Sequence, residues 1–248
     1  MDTLNLIIIF FIGLISSIYG TLVGGGSLIT IPTLIFVGLP LHIAIGTNRL
    51  GAIGANISGL YKFHKKRLID YKIGLMMGVP VLFGSILGAN LVLEINEEIL
   101  KKVIGVVTFI ILLIITFKPK MGLEERKRIY KRYEYIIGIS LSFFLGIYGG
   151  FYGAGTGTFF SYLLILLFGE TFLKSAGTRK IATLLLSIVA TLIFAFHGVI
   201  LYYVAIVLFT GRFIGSYIGA HYSDKIGNLW LKRLFFLTVL IMAIKLIY

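Results

Sequence analysis

Four basic residues, Arg49, Arg179, Lys180 and Arg212, stand inside long apolar segments of this chain. A cation in hydrocarbon costs about 2.5–3.5 kcal/mol on the insertion scale, so it turns toward protein or a wet cavity and takes a partner there. The ten acids (Asp2, Asp70, Glu94, Glu97, Glu98, Glu124, Glu125, Glu134, Glu170 and Asp224) all fall at segment ends or in loops. None is placed to neutralise the four cations in mid-membrane. Two readings follow. In the first, Arg49, Arg179 and Lys180, near the starts of their segments, snorkel to a headgroup region, and Arg212 bonds to carbonyls of a broken helix. In the second, the four line a cavity whose missing negative charge arrives with a ligand. An anion with several oxygens suits the planar fork of arginine.

Two glycine clusters point the same way. Gly24-Gly25-Gly26-Ser27 and Gly153-Ala154-Gly155-Thr156-Gly157-Thr158 each separate two apolar segments. Irregular backbone at membrane depth is tolerated only inside protein or beside water, and glycine permits tight reversal and close approach. Ser27 and Thr158 are expected to N-cap short helices, whose free N–H groups and partial positive charge suit an anion. The blander alternative is that these glycines only let helices pack closely. Neither cluster is a P-loop, whose lysine is missing. Downstream, Thr47, Asn48 and Arg49 follow Gly46, and Thr178, Arg179 and Lys180 follow Gly177, in the first two turns of otherwise apolar segments.

Other chemistries are poorly supplied. There is no cysteine, which excludes disulfides and thiolate sites, and the four histidines are scattered near segment ends. No G-x-S-x-G or H-E-x-x-H motif occurs. Neither an enzyme nor a metal or other cofactor is expected.

The elements that must position these residues are membrane helices. Of 248 residues, 58% are hydrophobic and 13% charged, with a mean hydropathy of +1.00. A soluble domain is about a quarter charged, and disorder needs low hydrophobicity. The net charge of +13 lies between apolar runs, so the bilayer, not nucleic acid, is the expected partner. The opening stretch lacks the basic residues of a cleavable leader and reads as a first membrane segment.

Apolar segments run from Leu4 to Val23, Ser27 to Leu39, Ile43 to Phe63, Ile73 to Leu93 and Val103 to Phe117. After a basic stretch, Lys118 to Glu134, come Tyr135 to Phe151, Thr158 to Phe168, Ala176 to Phe196, Tyr203 to Ala220 and Leu229 to Tyr248. A spanning helix needs about 20 residues, so the segments starting at Ser27 and Thr158 are too short to cross. A shift of 131 residues, from Gly24 to Gly155, lays the first half on the second. It carries Thr47 to Thr178, Tyr71 to Tyr202, Gly84-Ser85 to Gly215-Ser216 and Lys101-Lys102 to Lys232-Arg233 without a gap. Residues 1–117 and 135–248 are thus read as two membrane repeats joined by a basic cytoplasmic linker, 118–134.

Basic loops mark the cytoplasm. Lys62 to Lys72 and Lys118 to Glu134 are basic, and the turn with Glu94, Glu97 and Glu98 is acidic. The counterparts in the second half reverse this: 197–203 has no Lys or Arg, and 221–233 has three. The expected fold is therefore an all-α polytopic membrane protein of two inverted-topology repeats. Each would be a re-entrant helical hairpin plus three spanning helices, with both termini outside. Such inverted repeats with broken helices recur in secondary transporters.

The stretch Gly20-Thr21-Leu22-Val23-Gly24-Gly25-Gly26-Ser27 through Pro32 to Gly46-Thr47-Asn48-Arg49, echoed by Gly153 to Thr158 and by Ser175 to Lys180, resembles the sulfite exporter TauE/SafE family, also called the toluene-sulfonate uptake permease family. The resemblance covers nearly the whole chain. It implies a multi-pass transporter of the bacterial or archaeal cell membrane, of about eight spans, that moves sulfur oxyanions and small organosulfonates, often outward. By position it points to Gly24, Gly25, Gly26, Thr47 and Asn48, and to Gly155, Gly157 and Thr178. The chain departs from the pattern at Thr156, where a full triple glycine would continue, and at Leu163, opposite Pro32.

The leading expectation is a secondary transporter for a small anion such as sulfite. Gly24, Gly25, Gly26, Ser27, Gly155, Thr156, Gly157 and Thr158 would form the tips. Thr47, Asn48, Thr178, Arg49, Arg179, Lys180 and Arg212 would complete the site. The alternatives are a passive anion channel and a non-transporting membrane scaffold.

Overall fold

The computed structural model describes residues 2–91, 122–125 and 131–247. The expected segment Val103–Phe117, the acidic turn at Glu94, Glu97 and Glu98, and most of the linker 118–134 lie outside the described residues. The described residues form eight helices and no strand: α1 (Thr3–Val23), α2 (Ser27–Phe36), α3 (Leu41–Lys65), α4 (Tyr71–Leu91), α5 (Arg132–Phe151), α6 (Thr156–Phe168), α7 (Phe172–Phe196) and α8 (Tyr202–Ile247). Helix α8 is broken at Gly227, with φ 71° and ψ 163°, between the expected segments ending at Ala220 and starting at Leu229.

Local signals set the helix starts. Pro40 precedes α3 with φ already near the helical value. Thr171 caps α7, its hydroxyl oxygen accepting from the Lys174 N–H at 3.1 Å. Helices α1, α4, α5 and α7, and the Tyr202–Leu231 part of α8, are long and apolar enough to cross a membrane. Helices α2 and α6 have only 10 and 13 residues. The helix leading into each glycine cluster is thus of full span length, and the one leaving it is not.

The 131-residue shift is visible in the helix boundaries. It carries Leu41–Lys65 onto Phe172–Phe196 and Tyr71 onto Tyr202, which are the bounds of α3 and α7 and the starts of α4 and α8. Packing follows the same exchange: α1 lies along α8, and α5 lies along α4. Small residues allow close approach there. A Cβ on Gly88 would strike the Ile147 carbonyl, and one on Gly215 the Leu14 carbonyl.

Helices α3 and α7 lie side by side and head to tail. Thr47 near the start of α3 accepts from the Leu201 N–H, beyond the end of α7, at 3.1 Å. Thr178 near the start of α7 accepts from the Asp70 N–H, beyond the end of α3, also at 3.1 Å. At one end of the molecule the basic loop 62–72 meets residues 122–125 and 221–228. Lys66 ion-pairs with Asp224 and donates to the His221 carbonyl at 2.6 Å. Lys174 pairs with Glu125 at 2.5 Å, and Asn228 donates to the Leu123 carbonyl at 3.2 Å.

The distribution of polarity is the reverse of a soluble protein's. Phe36, Phe196 and many Ile, Leu and Phe side chains face outward, whereas Thr21, Thr47, Asn48, Asn56, Ser187 and the four cations are buried. Hydrocarbon outside makes apolar exposure costless and drives polar groups inward to find one another. The chain is a multi-pass protein of the cell membrane.

Candidate anion site

The four cations converge on one cavity of about 60 Å³ at mid-length of α3 and α7. A single water needs roughly 10–15 Å³ by this measure, so the space suits a few waters or one small oxyanion. None of the four snorkels: each is no more than 6% exposed. Among the described residues no carboxylate pairs with any of them.

Their present partners are carbonyls and hydroxyls, several of them in the other half of the chain. Arg49 of α3 donates to the Gly149 carbonyl in the last turn of α5. Arg179 of α7 donates to the Gly20 and Thr21 carbonyls in the last turn of α1, at 3.0 and 2.7 Å, and to the Ser161 hydroxyl. Lys180 reaches the Thr21 hydroxyl at 3.1 Å, the Ala55 carbonyl at 3.2 Å and the Ser216 hydroxyl at 3.4 Å. Carbonyls at a helix C-terminus carry partial negative charge, so Arg49 grips the favourable end of α5 and Arg179 that of α1. That softens the positive charge without cancelling it.

Arg212 sits on Asn48. Its guanidinium donates to Asn48 Oδ1 at 2.6 Å, which also accepts from the Thr30 hydroxyl at 2.6 Å. The Asn48 amide donates to Ser27 at 3.1 Å. A charge in α8 is thereby tied to the start of the short helix α2. Arg179 stands at the position 131 after Asn48 and bonds Ser161, 131 after Thr30, so the two halves build related polar joints from different residues. Two donors remain unmatched: the buried Nε atoms of Arg49 and Arg212 have no hydrogen-bond partner among the described residues.

The glycine tips meet. A Cβ on Gly24 would enter the backbone of Gly157 and Thr158, and one on Gly153 the Arg49 guanidinium. Gly24 has φ 102° and Gly155 φ 78°, both left-handed; such turns favour glycine because it lacks Cβ. The capping expectation for Ser27 and Thr158 is corrected here. Gly26 and Gly155 occupy the cap positions of α2 and α6, and no side chain caps either helix. Gly155 turns the chain through its left-handed φ, whereas Gly26 has helical angles and lies where a Cβ would meet the Ser16 carbonyl at 2.9 Å. The hydroxyls are spent elsewhere: Ser27 accepts from Asn48, and Thr158 donates to the Val23 carbonyl at 3.2 Å.

Of the residues singled out by sequence, Gly24, Gly26, Ser27, Arg49, Thr156, Gly157, Arg179, Lys180 and Arg212 line the cavity. Gly25, Thr47, Asn48, Gly155, Thr158 and Thr178 do not, although Asn48 bonds to Ser27 in its wall. Sequence reasoning passed over Thr21, Asn56, Thr183 and Ser187, which also line it. Asn56 donates to Ser187 at 3.2 Å and accepts from Thr183 at 3.0 Å. The signal was available, since polar residues in mid-helix repeat at the 131-residue shift, Asn56 onto Ser187.

Comparison with known proteins agrees with this architecture. The family model described as sulfite exporter TauE/SafE matches residues 9–246. A "Probable membrane transporter protein" of Haemophilus influenzae is 33% identical over 98% of this chain and 94% of its own length. "Probable membrane transporter protein YfcA" of Escherichia coli K12 is 27% identical over 97% and 89%, and YdhB of Bacillus subtilis, under the same description, is 26% identical over 99% and 100%. No solved structure matches. With its family pattern extending over nearly its whole length, this chain belongs to the sulfite exporter TauE/SafE family of membrane transporters.

Proposed function

We propose that the cavity binds a small oxyanion such as sulfite and that the chain carries it across the cell membrane as a secondary transporter. The observation that carries this reading is the convergence of four buried cations with no carboxylate among the described residues, two of them with an unmatched Nε donor. An oxyanion supplies both the missing charge and the missing acceptors, and arginine binds it through two N–H bonds at once. The N-termini of α2 and α6 add positive dipole ends at the tips.

The two halves lie upside down to one another in the bilayer, each a hairpin with a half-length second helix followed by spanning helices. Support comes from the head-to-tail pairing of α3 with α7. The basic loop 62–72 lies at one end with residues 221–228 and with 122–125 of the basic linker 118–134; by charge this is the cytoplasmic end, which supports it too. Rocking of one half on the other would alternate access to the site. The joints that must give are the tip contact between Gly24 and Gly157 and the cross-repeat grips of Arg49, Arg179 and Lys180.

The cavity wall has Leu186 as its one large apolar side chain, which leaves no apolar seat for an organic tail. In proteoliposomes loaded with unlabelled sulfite, labelled sulfite is expected to accumulate transiently by counterflow and to saturate. Toluene-sulfonate should compete at least about tenfold more weakly, the loss of one well-placed contact or roughly 1.4 kcal/mol. Flux without saturation or counterflow would indicate a passive channel instead, and no sulfite flux at all would remove the transport reading.

A further inference from the structure

Glu170 takes no part in the cavity, yet it is 1% exposed. It sits in the turn between α6 and α7. Its Oε1 accepts from the Thr178 hydroxyl at 2.9 Å, and its Oε2 has no partner among the described residues. A carboxylate left with an unmatched oxygen in such surroundings is strongly disfavoured against the neutral acid. The charged groups that face it offset this only in part. Lys174 of α7 is already paired with Glu125, and Asp70 of the α3–α4 turn accepts from the Ile73 N–H at 3.0 Å. Burial, with Asp70 and Glu125 adding negative charge, pushes the Glu170 carboxyl up to about 8 against the opposing pull of Thr178 and Lys174.

The position matters because of what Thr178 holds. Its oxygen accepts from the Asp70 N–H, which docks the start of α7 on the α3–α4 turn, one residue ahead of the cavity cations Arg179 and Lys180. The matching joint in the first half is Thr47 on the Leu201 N–H. There, residue 39, which precedes Glu170 by 131, is Leu39 and carries no charge. At the matching position the two related joints therefore differ by a carboxyl group.

We propose that Glu170 is a proton-binding site that latches this end of the molecule: with its proton the α6–α7 turn stays packed, and loss of the proton opens it to water. The proton comes from and returns to solvent on that side. In the packed state the group titrates near 8, and once hydrated near its ordinary 4.5. Below the lower value both states hold the proton and packing is fully favoured. Between the two the open state gains about tenfold per pH unit, and above the higher value the gain stops. The latch acts on the route taken by the proposed anion, so its effect on flux rests on that reading, whereas the opening itself does not.

Amide hydrogen exchange of the purified full chain separates the two. After correction for intrinsic rates, protection of residues 169–180 is expected to fall steeply between pH 5 and 8, by about tenfold per unit where opening controls exchange. In Glu170→Gln, and in Glu170→Leu, which installs the residue found at 39, protection should be flat with pH. Equal pH dependence in wild type and Glu170→Gln would overturn the latch, as would pH-independent protection in the wild type. Neither measurement uses sulfite, so the latch is decided even if another anion proves to be the cargo.

Discussion

Replacing Arg49 and Arg212 together by alanine is expected to lower sulfite counterflow by roughly a hundredfold or more. Each contributes a charged donor to the cavity, and a hydrogen bond from a charged group contributes about 1.5–3 kcal/mol. Losing two such bonds to the anion comes to about 3–6 kcal/mol. The single lysine variants separate charge from geometry. Arg212→Lys keeps the charge but loses the fork and the Nε donor, so an intermediate loss of about tenfold is expected. Both arginines also hold protein groups, Gly149 and Asn48, so flux is to be normalised to monodisperse protein. Unchanged counterflow in the double alanine variant would leave the cations without a role in transport.

Gly24→Ala is expected to be strongly damaging. Two costs coincide there. The φ of 102° lies in the region that L residues avoid, at about 1–2 kcal/mol. The new Cβ would also press into the Gly157 backbone, and overpacking of this kind costs about 1–3 kcal/mol. The sum, about 2–5 kcal/mol, should appear as a clear drop in detergent melting temperature together with loss of flux, because the tips can no longer close. Gly198→Ala is the control. It shares a positive φ of 67° but has open space around the Cβ position, so only the smaller backbone cost applies. Equal melting temperatures for the two variants would mean that the tip contact contributes nothing.

Much of the helical frame could be read from one-dimensional pattern, because hydrocarbon imposes it residue by residue. The expected segment 176–196 became Phe172–Phe196 and 43–63 became Leu41–Lys65. Both differ at their starts because Thr171 and Pro40 begin helices through polar or rigid residues that hydropathy does not count. The 131-residue register was legible for a different reason: small residues recur in it where helices pack closely, as Gly84 does on Phe143 and Gly215 on Leu14. The cations could be listed but not their partners. Arg179 on Gly20 and Thr21, and Lys180 on Ala55, join residues more than a hundred positions apart, and no local rule specifies such a pair. Ser27 and Thr158 were misjudged because capping preference describes an isolated helix end. Here Asn48 and the Val23 carbonyl offered their hydroxyls better partners, and glycine took the caps. Glu170 looked like a surface loop acid, since sequence alone does not reveal that the α6–α7 turn is packed beneath the α3–α4 turn and residues 122–125.

Selenite has the charge and pyramidal shape of sulfite, and its selenium scatters anomalously, so a crystal grown with it tests the central claim most directly. One anomalous peak is expected in the cavity, with oxygens within hydrogen-bonding reach of Arg49 Nε and Arg212 Nε. Saturating selenite that leaves the cavity without a peak, while Arg49 and Arg212 keep only their bonds to Gly149 and Asn48, would contradict it.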